Sequence, residues 1–211
     1  MKKLLVIISI IFLMNSCTKE ESAEITSKAQ KTDMKASTLK IPINKEEEIE
    51  NAKSAIKMFA GALKTELKKA IEEGGPVNAI SVCNTKAMSI TRKISEEEGL
   101  NLGRVSLKNR NPKNAPNEWQ RKALEDFEIR KSKGEAVESM TYSDINEQKN
   151  GKQFRFMKAI PTSEVCIFCH GDNIAPEVMT KLKELYPNDK ATGFKIGDIR
   201  GAFVVTKEFP R

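Results

Sequence analysis

Cys166-Ile167-Phe168-Cys169-His170 constrains this chain more than any other stretch. It sets two thiols and an imidazole within five residues, and His170 is the only histidine among 211 residues. A C-x-x-C pair can be half of a zinc knuckle or a redox dithiol, but with histidine directly after it the pattern reads as a c-type haem attachment site. There the two thiols add across the haem vinyl groups as thioethers, and the imidazole ligates the iron. With no second imidazole in the chain, the opposite axial position falls to a less usual ligand or stays open.

The compartment weighs these readings, and the N-terminus speaks to it. Lys2 and Lys3 precede the apolar run Leu4–Leu13, and small Ser16 leads directly into Cys17. This is a charged region, an apolar region and a cleavage site of signal-peptide type. The run of about 10 residues is too short for a bilayer, which needs roughly 20. Leu13-Met14-Asn15-Ser16-Cys17 resembles a bacterial lipoprotein processing box, with cleavage without lipidation as the alternative. The reading is residues 1–16 as a leader and Cys17 as an acylated N-terminus that anchors without spanning. The expected location is an exported bacterial lipoprotein, periplasmic or associated with the outer membrane or exposed at the surface.

Export changes the meaning of the four cysteines, 17, 83, 166 and 169. With Cys17 lipidated and the 166/169 pair on haem, Cys83 has no disulfide partner in an oxidising compartment. Either it is a small buried hydrophobe or it is used.

Removing 1–16 leaves about 195 residues, enough for one domain and a tail. The formal charge of +7 falls to +5 when Lys2 and Lys3 go, since 34 basic residues then face 29 acidic ones. The surplus is spread along the chain, and with one Trp and two Tyr no basic-aromatic pattern points to nucleic acid. Residues 17–45 are polar with little apolar periodicity and read as a flexible tether reaching roughly 30 Å.

From residue 46 the period is helical. Ile49, Ala52, Ile56, Phe59, Leu63, Leu67 and Ile71 form one stripe. Gly74-Gly75-Pro76 breaks it and starts a second helix presenting Ala79, Ile80, Cys83, Ala87, Ile90 and Ile94, with Gly99 as its stop. Residues 103–116 read as a turn-rich basic loop in which Arg104 or Arg110 could pair with haem propionates, or with local carboxylates. A third helix is expected from Asn117, with Gln120 as capping-box partner, burying Trp119, Ala123, Leu124 and Phe127. Strands are expected at 136–142 and 153–160, joined through Asn150-Gly151, with a short helix at 176–186 and a last strand at 202–206. The fold class is α+β: N-terminal helices, then an antiparallel sheet interrupted by a helix.

Arg104-Val-Ser-Leu-Lys-Asn-Arg-Asn-Pro-Lys-Asn-Ala-Pro, Cys166-x-x-Cys-His-Gly-Asp, Tyr186-Pro-x-Asp-x-Ala-Thr-Gly-Phe and Gly197-Asp-x-Arg-Gly-Ala together resemble one family. It is the single-haem c-type family with a PAS-like domain, also found in sensor proteins, and the likeness runs from about residue 50 to 207. The resemblance implies a five-stranded PAS-like sheet flanked by helices, in the domain 46–211. It implies one covalent haem c on Cys166 and Cys169 with His170 on the iron. It also implies Cys83 as the opposite ligand, which agrees with its being the one unassigned thiol. Met88, Met140, Met157, Met179 or an open site are the competitors. A thiolate favours ferric iron and a low potential, and on reduction it could take a proton and leave.

The expected function is electron transfer by a lipid-anchored cytochrome meeting a redox partner protein or a small-molecule donor or acceptor. One alternative is a redox or diatomic-gas sensor; with no output segment after the last strand, it would signal through a separate protein. Another is a Cys3His zinc protein built from Cys83, Cys166, Cys169 and His170, although adjacent Cys169 and His170 are awkward joint ligands. The βαβ context of a thioredoxin-like enzyme is missing, and no acid, base and nucleophile set suggests turnover.

Overall fold

The computed structural model describes residues 42–211. The expected leader, Cys17 and all but the last few residues of the expected tether lie outside the described residues. Helix α1 (Lys45–Glu98) opens on Asn44, whose side chain accepts from the Glu47 N–H. Glu46, Glu47 and Glu48 occupy its first turn, where the positive end of the helix dipole favours carboxylates. Gly74 and Gly75 leave the helical conformation, Gly75 at φ +70°, a state that glycine enters at no steric cost. The chain doubles back there. Asn78 Nδ2 donates to the Ala70 carbonyl at 3.0 Å, Lys86 pairs with Glu66, and Leu63, Leu67 and Ile71 pack on Ala79 and Val82. The expected break thus makes α1 a hairpin of two arms, 45–73 and 76–98.

Four antiparallel strands follow: β1 (Asn101–Val105), β2 (Thr141–Gln148), β3 (Gly151–Pro161) and β4 (Ile199–Pro210), in the order β1-β4-β3-β2. Helix α2 (Glu118–Ser132) begins on the expected capping box, in which Asn117 and Gln120 each satisfy the other's backbone N–H. Alternation along the strands gives the sheet two faces. Phe154, Phe156 and Val205 turn to α1, with Ala52, Ala55, Ile56 and Phe59. Met157, Ala159, Ala202 and Val204 turn to α2, with Ala123, Leu124 and Phe127. The result is an α+β domain of three layers.

Four expectations are corrected. The strand expected at 136–142 starts only at Thr141, because Val137–Ser139 is a 3-10 turn. Val137 and Met140, three residues apart, both enter the core under α2, which an extended strand would have prevented by pointing them to opposite faces. β1 runs into the start of the stretch 103–116 expected as a loop, where the residues show no alternating apolar pattern. The described residues contain four strands rather than the five the resemblance implies, since β3 passes after Pro161 into helix α3 (Glu164–His170). β2 and β3 form the expected hairpin, but its two-residue loop is Lys149-Asn150, one residue before the expected Asn150-Gly151, so that Gly151 already lies in β3 opposite Gln148.

Phe127 is fully buried, on the sheet face away from α1. Phe127→Ala is expected to cost about 3–5 kcal/mol, read as a lower urea midpoint.

Candidate functional site

Helix α3 explains the spacing of the motif. On a helix, positions i, i+3 and i+4 share a face, so Cys166, Cys169 and His170 are presented together. All three line a cavity of about 550 Å³, together with Cys83 from the second arm of α1. Its walls are apolar where α1 and the sheet supply Phe59, Leu63, Leu67, Ile80, Ile160 and Phe203. Arg104, Arg110 and Arg200 line it as well. A second, smaller cavity of about 320 Å³ adjoins it and shares Cys83, His170, Tyr186 and the three arginines.

His170 is held in one tautomer. Its Nδ1 lies 2.7 Å from the Ala191 carbonyl, which can only accept, so Nδ1 carries the proton and Nε2 keeps a free lone pair. Burial, with Arg200 and Arg110 adding to it, lowers its pKa to about 2 against the opposing pull of the Ala191 hydrogen bond. The ring is therefore a neutral imidazole at any ordinary pH, the form that binds a metal. Phe194 meets it edge-on, with centroids 6.3 Å apart.

The loop after helix α4 (Pro176–Leu185) forms this seat and is clipped to the motif. Phe194 N–H donates to the His170 carbonyl at 2.9 Å, and Gly193 N–H to the Gly171 carbonyl at 2.8 Å. Arg110 completes the clip. Its Nε donates to Asp189 Oδ2 at 2.9 Å, and its Nη2 donates to the carbonyls of Cys169 and of Ala191. One guanidinium thus spans the motif helix and the loop that orients the histidine.

The expectation that Arg104 or Arg110 pairs with an added carboxylate divides here. Arg110 is committed to Asp189 and two carbonyls, whereas Arg104 makes no hydrogen bond or ion pair among the described residues and stacks over Phe59 at 5.2 Å. Arg200, unremarked in the sequence, has its Nε buried without a partner. Burial and the neighbouring Arg110 and Arg104 bring its pKa down to about 10. The two arginines come together because β4 passes close to β1 at Gly201, where a Cβ would fall 2.3 Å from the Val105 carbonyl oxygen. Such crowding of cations calls for an anion.

Cys83 stands within this field. Burial pushes its thiol pKa up, while Arg104, Arg110 and Arg200 pull it down. Among the competitors, Met140 and Met157 are fully buried in the core under α2 and are not among the cavity walls. Met88 borders only the smaller cavity, and Met179 lines neither. Among the described residues no three His, Cys, Asp or Glu side chains converge as a metal-ion site, so the expected Cys3His zinc alternative is not assembled. The three cysteines and the histidine border one cavity instead of meeting at a point.

Sequence reasoning had no role for Asp189, Ala191, Phe194 or Arg200. All four sit in the two motifs, 186–194 and 197–202, that carried the family resemblance; their presence was visible and their task was not.

The family model of the Tll0287-like proteins matches residues 20–207. Among solved structures, the crystal structure of the cyanobacterial haem protein Tll0287 is similar, with a TM-score of 0.57 and 24% identity over 78% of this chain and 96% of that one. At that identity the likeness is one of fold. A search of curated proteins finds no match.

Proposed function

The chain belongs to the Tll0287-like family, and from that footing we propose that it is a single-haem c-type protein of electron transfer. In this reading Cys166 and Cys169 would hold the haem covalently, and His170 and Cys83 would ligate its iron. Bound there, a haem supplies one-electron chemistry, and a thiolate opposite an imidazole favours a low potential.

The single observation that carries the reading is His170, a neutral, half-buried imidazole whose Nδ1 is tied to the Ala191 carbonyl so that Nε2 is left as a ligand. This is the backbone-oriented histidine that metal sites require. The surrounding residues fit the group. A cavity of about 550 Å³ with apolar walls suits a large planar ring. Arg104 and the partnerless Nε of Arg200 suit its two carboxylates, and at Cys83, where burial raises the thiol pKa, the three arginines pull against that rise. The solved haem protein of the same fold supports the assignment. The exported location, the lipid at Cys17 and the PAS-like character of the sheet belong to the same proposal and rest on the sequence. A lipid anchor with a tether would let the domain meet donors and acceptors near a membrane.

The test is covalent attachment. Produced with c-type maturation machinery, the exported chain is expected to keep one haem per chain after denaturation, and Cys166→Ser/Cys169→Ser to keep none. Wild-type chain that loses all haem on denaturation would overturn the c-type reading.

A further inference from the structure

The smaller cavity has more positive charge than one haem can answer. Arg92, Arg104, Arg110, Lys113 and Arg200 line it, and no carboxylate does. Asp189 neutralises Arg110 from outside the lining, and two propionates would answer two more cations. Two positive charges are left facing about 320 Å³ of space. Arg92 and Lys113 face only this cavity and are absent from the larger one. Neither side chain makes an ion pair or hydrogen bond among the described residues, so with Arg104 and Arg200 given to the propionates these are the two cations left over. Arg200 and Arg104 line both spaces, as Cys83 and His170 do, so an anion in the smaller one meets guanidinium groups that also serve the proposed propionate end.

We propose that this cavity binds a small, doubly charged oxyanion, separate from the haem, between Arg92 and Lys113 on the solvent side and the Arg104–Arg200 pair on the inner side. Guanidinium forks match oxyanions by paired N–H donors, and the exposed Arg92 and Lys113 would meet the anion from the solvent side. Cys83 borders the same space. A bound anion therefore offsets the arginine field at the proposed axial ligand, and the redox potential of the haem moves downward as added negative charge favours the ferric form. This coupling rests on the haem reading; the anion site itself rests on the cavity.

The test titrates sodium sulfate into the haem-loaded full chain in detergent solution by calorimetry, against sodium chloride at matched ionic strength. One saturable site is expected, with affinity at least tenfold weaker in Arg92→Gln/Lys113→Gln, two residues outside the proposed haem contacts, whose haem spectrum without sulfate stays that of wild type. No saturable binding beyond the chloride control would overturn the proposal, as would unchanged affinity in the double variant. Binding to haem-free but not to haem-loaded chain would also overturn it, by giving the cavity to the propionates. Haem content after denaturation is read separately. A chain that never retains haem fails the haem reading, and sulfate binding that is lost in the double variant would still uphold the anion site.

Discussion

Arg110→Met is expected to cost about 3–5 kcal/mol of stability, the scale of removing one partner from a buried ion pair. Arg110 and Asp189 are only 10% and 12% exposed, so the surviving carboxylate cannot recover its lost partner from solvent. Two further acceptors lose a donor at the same time, the carbonyls of Cys169 and Ala191. The loss therefore has two physical sources, and a double substitution separates them. If the stranded charge dominates, Arg110→Met/Asp189→Leu recovers much of the stability in urea unfolding. If the carbonyls dominate, the double variant is as unstable as the single one. The local consequence follows from geometry. Ala191 accepts from both His170 and Arg110, so without the guanidinium the loop that fixes the imidazole is held to the motif by the His170–Ala191 bond and two backbone hydrogen bonds. An exposed pair would give a far smaller effect, about 0–1 kcal/mol.

The helices were legible because their signals are local. The stripe from Ile49 to Ile71, the Gly74-Gly75-Pro76 break and the Asn117/Gln120 cap each act over a few residues and need no partner from elsewhere. β1 was hidden because Asn101-Leu-Gly-Arg-Val has only two apolar side chains and becomes a strand through its pairing with β4, about a hundred residues away. The turn at Val137–Ser139 is hidden for the same reason, since the demand that Val137 and Met140 share one side comes from α2. At the site, the motif named the cysteines and histidine by spacing, and counting thiols drew attention to Cys83. What spacing could not express was the division of labour among arginines. Arg104 and Arg110 look alike in a basic loop; one has a carboxylate waiting 79 residues along the chain and the other does not. Arg200 gained its importance only when the strands brought it beside them.

Cys83→Ala in the haem-loaded protein is expected to change the ferric absorption spectrum and to raise the midpoint potential by on the order of 0.1 V or more, since axial ligation sets haem potentials across a wide range and a thiolate lowers them. The fold should survive, because cysteine and alanine are both small and the side chain borders open cavity rather than packed core. In the site without iron, burial holds the thiol in its protonated form while three guanidinium groups pull the other way. Ligation would tip that balance and release a proton, so the arginines lower the cost of forming a thiolate there. The alternative ligand is identifiable in the same experiment. Met140 and Met157 are locked in the core across the sheet, which leaves Met88, exposed and on the same helical arm, as the methionine nearest in chain position to Cys83 at the smaller cavity. An unchanged spectrum in Cys83→Ala together with a changed one in Met88→Leu would transfer the axial role to Met88. An unchanged spectrum in both would leave His170 as the single protein ligand and move the weight of the haem reading from electron transfer to the binding of a small molecule at the open position.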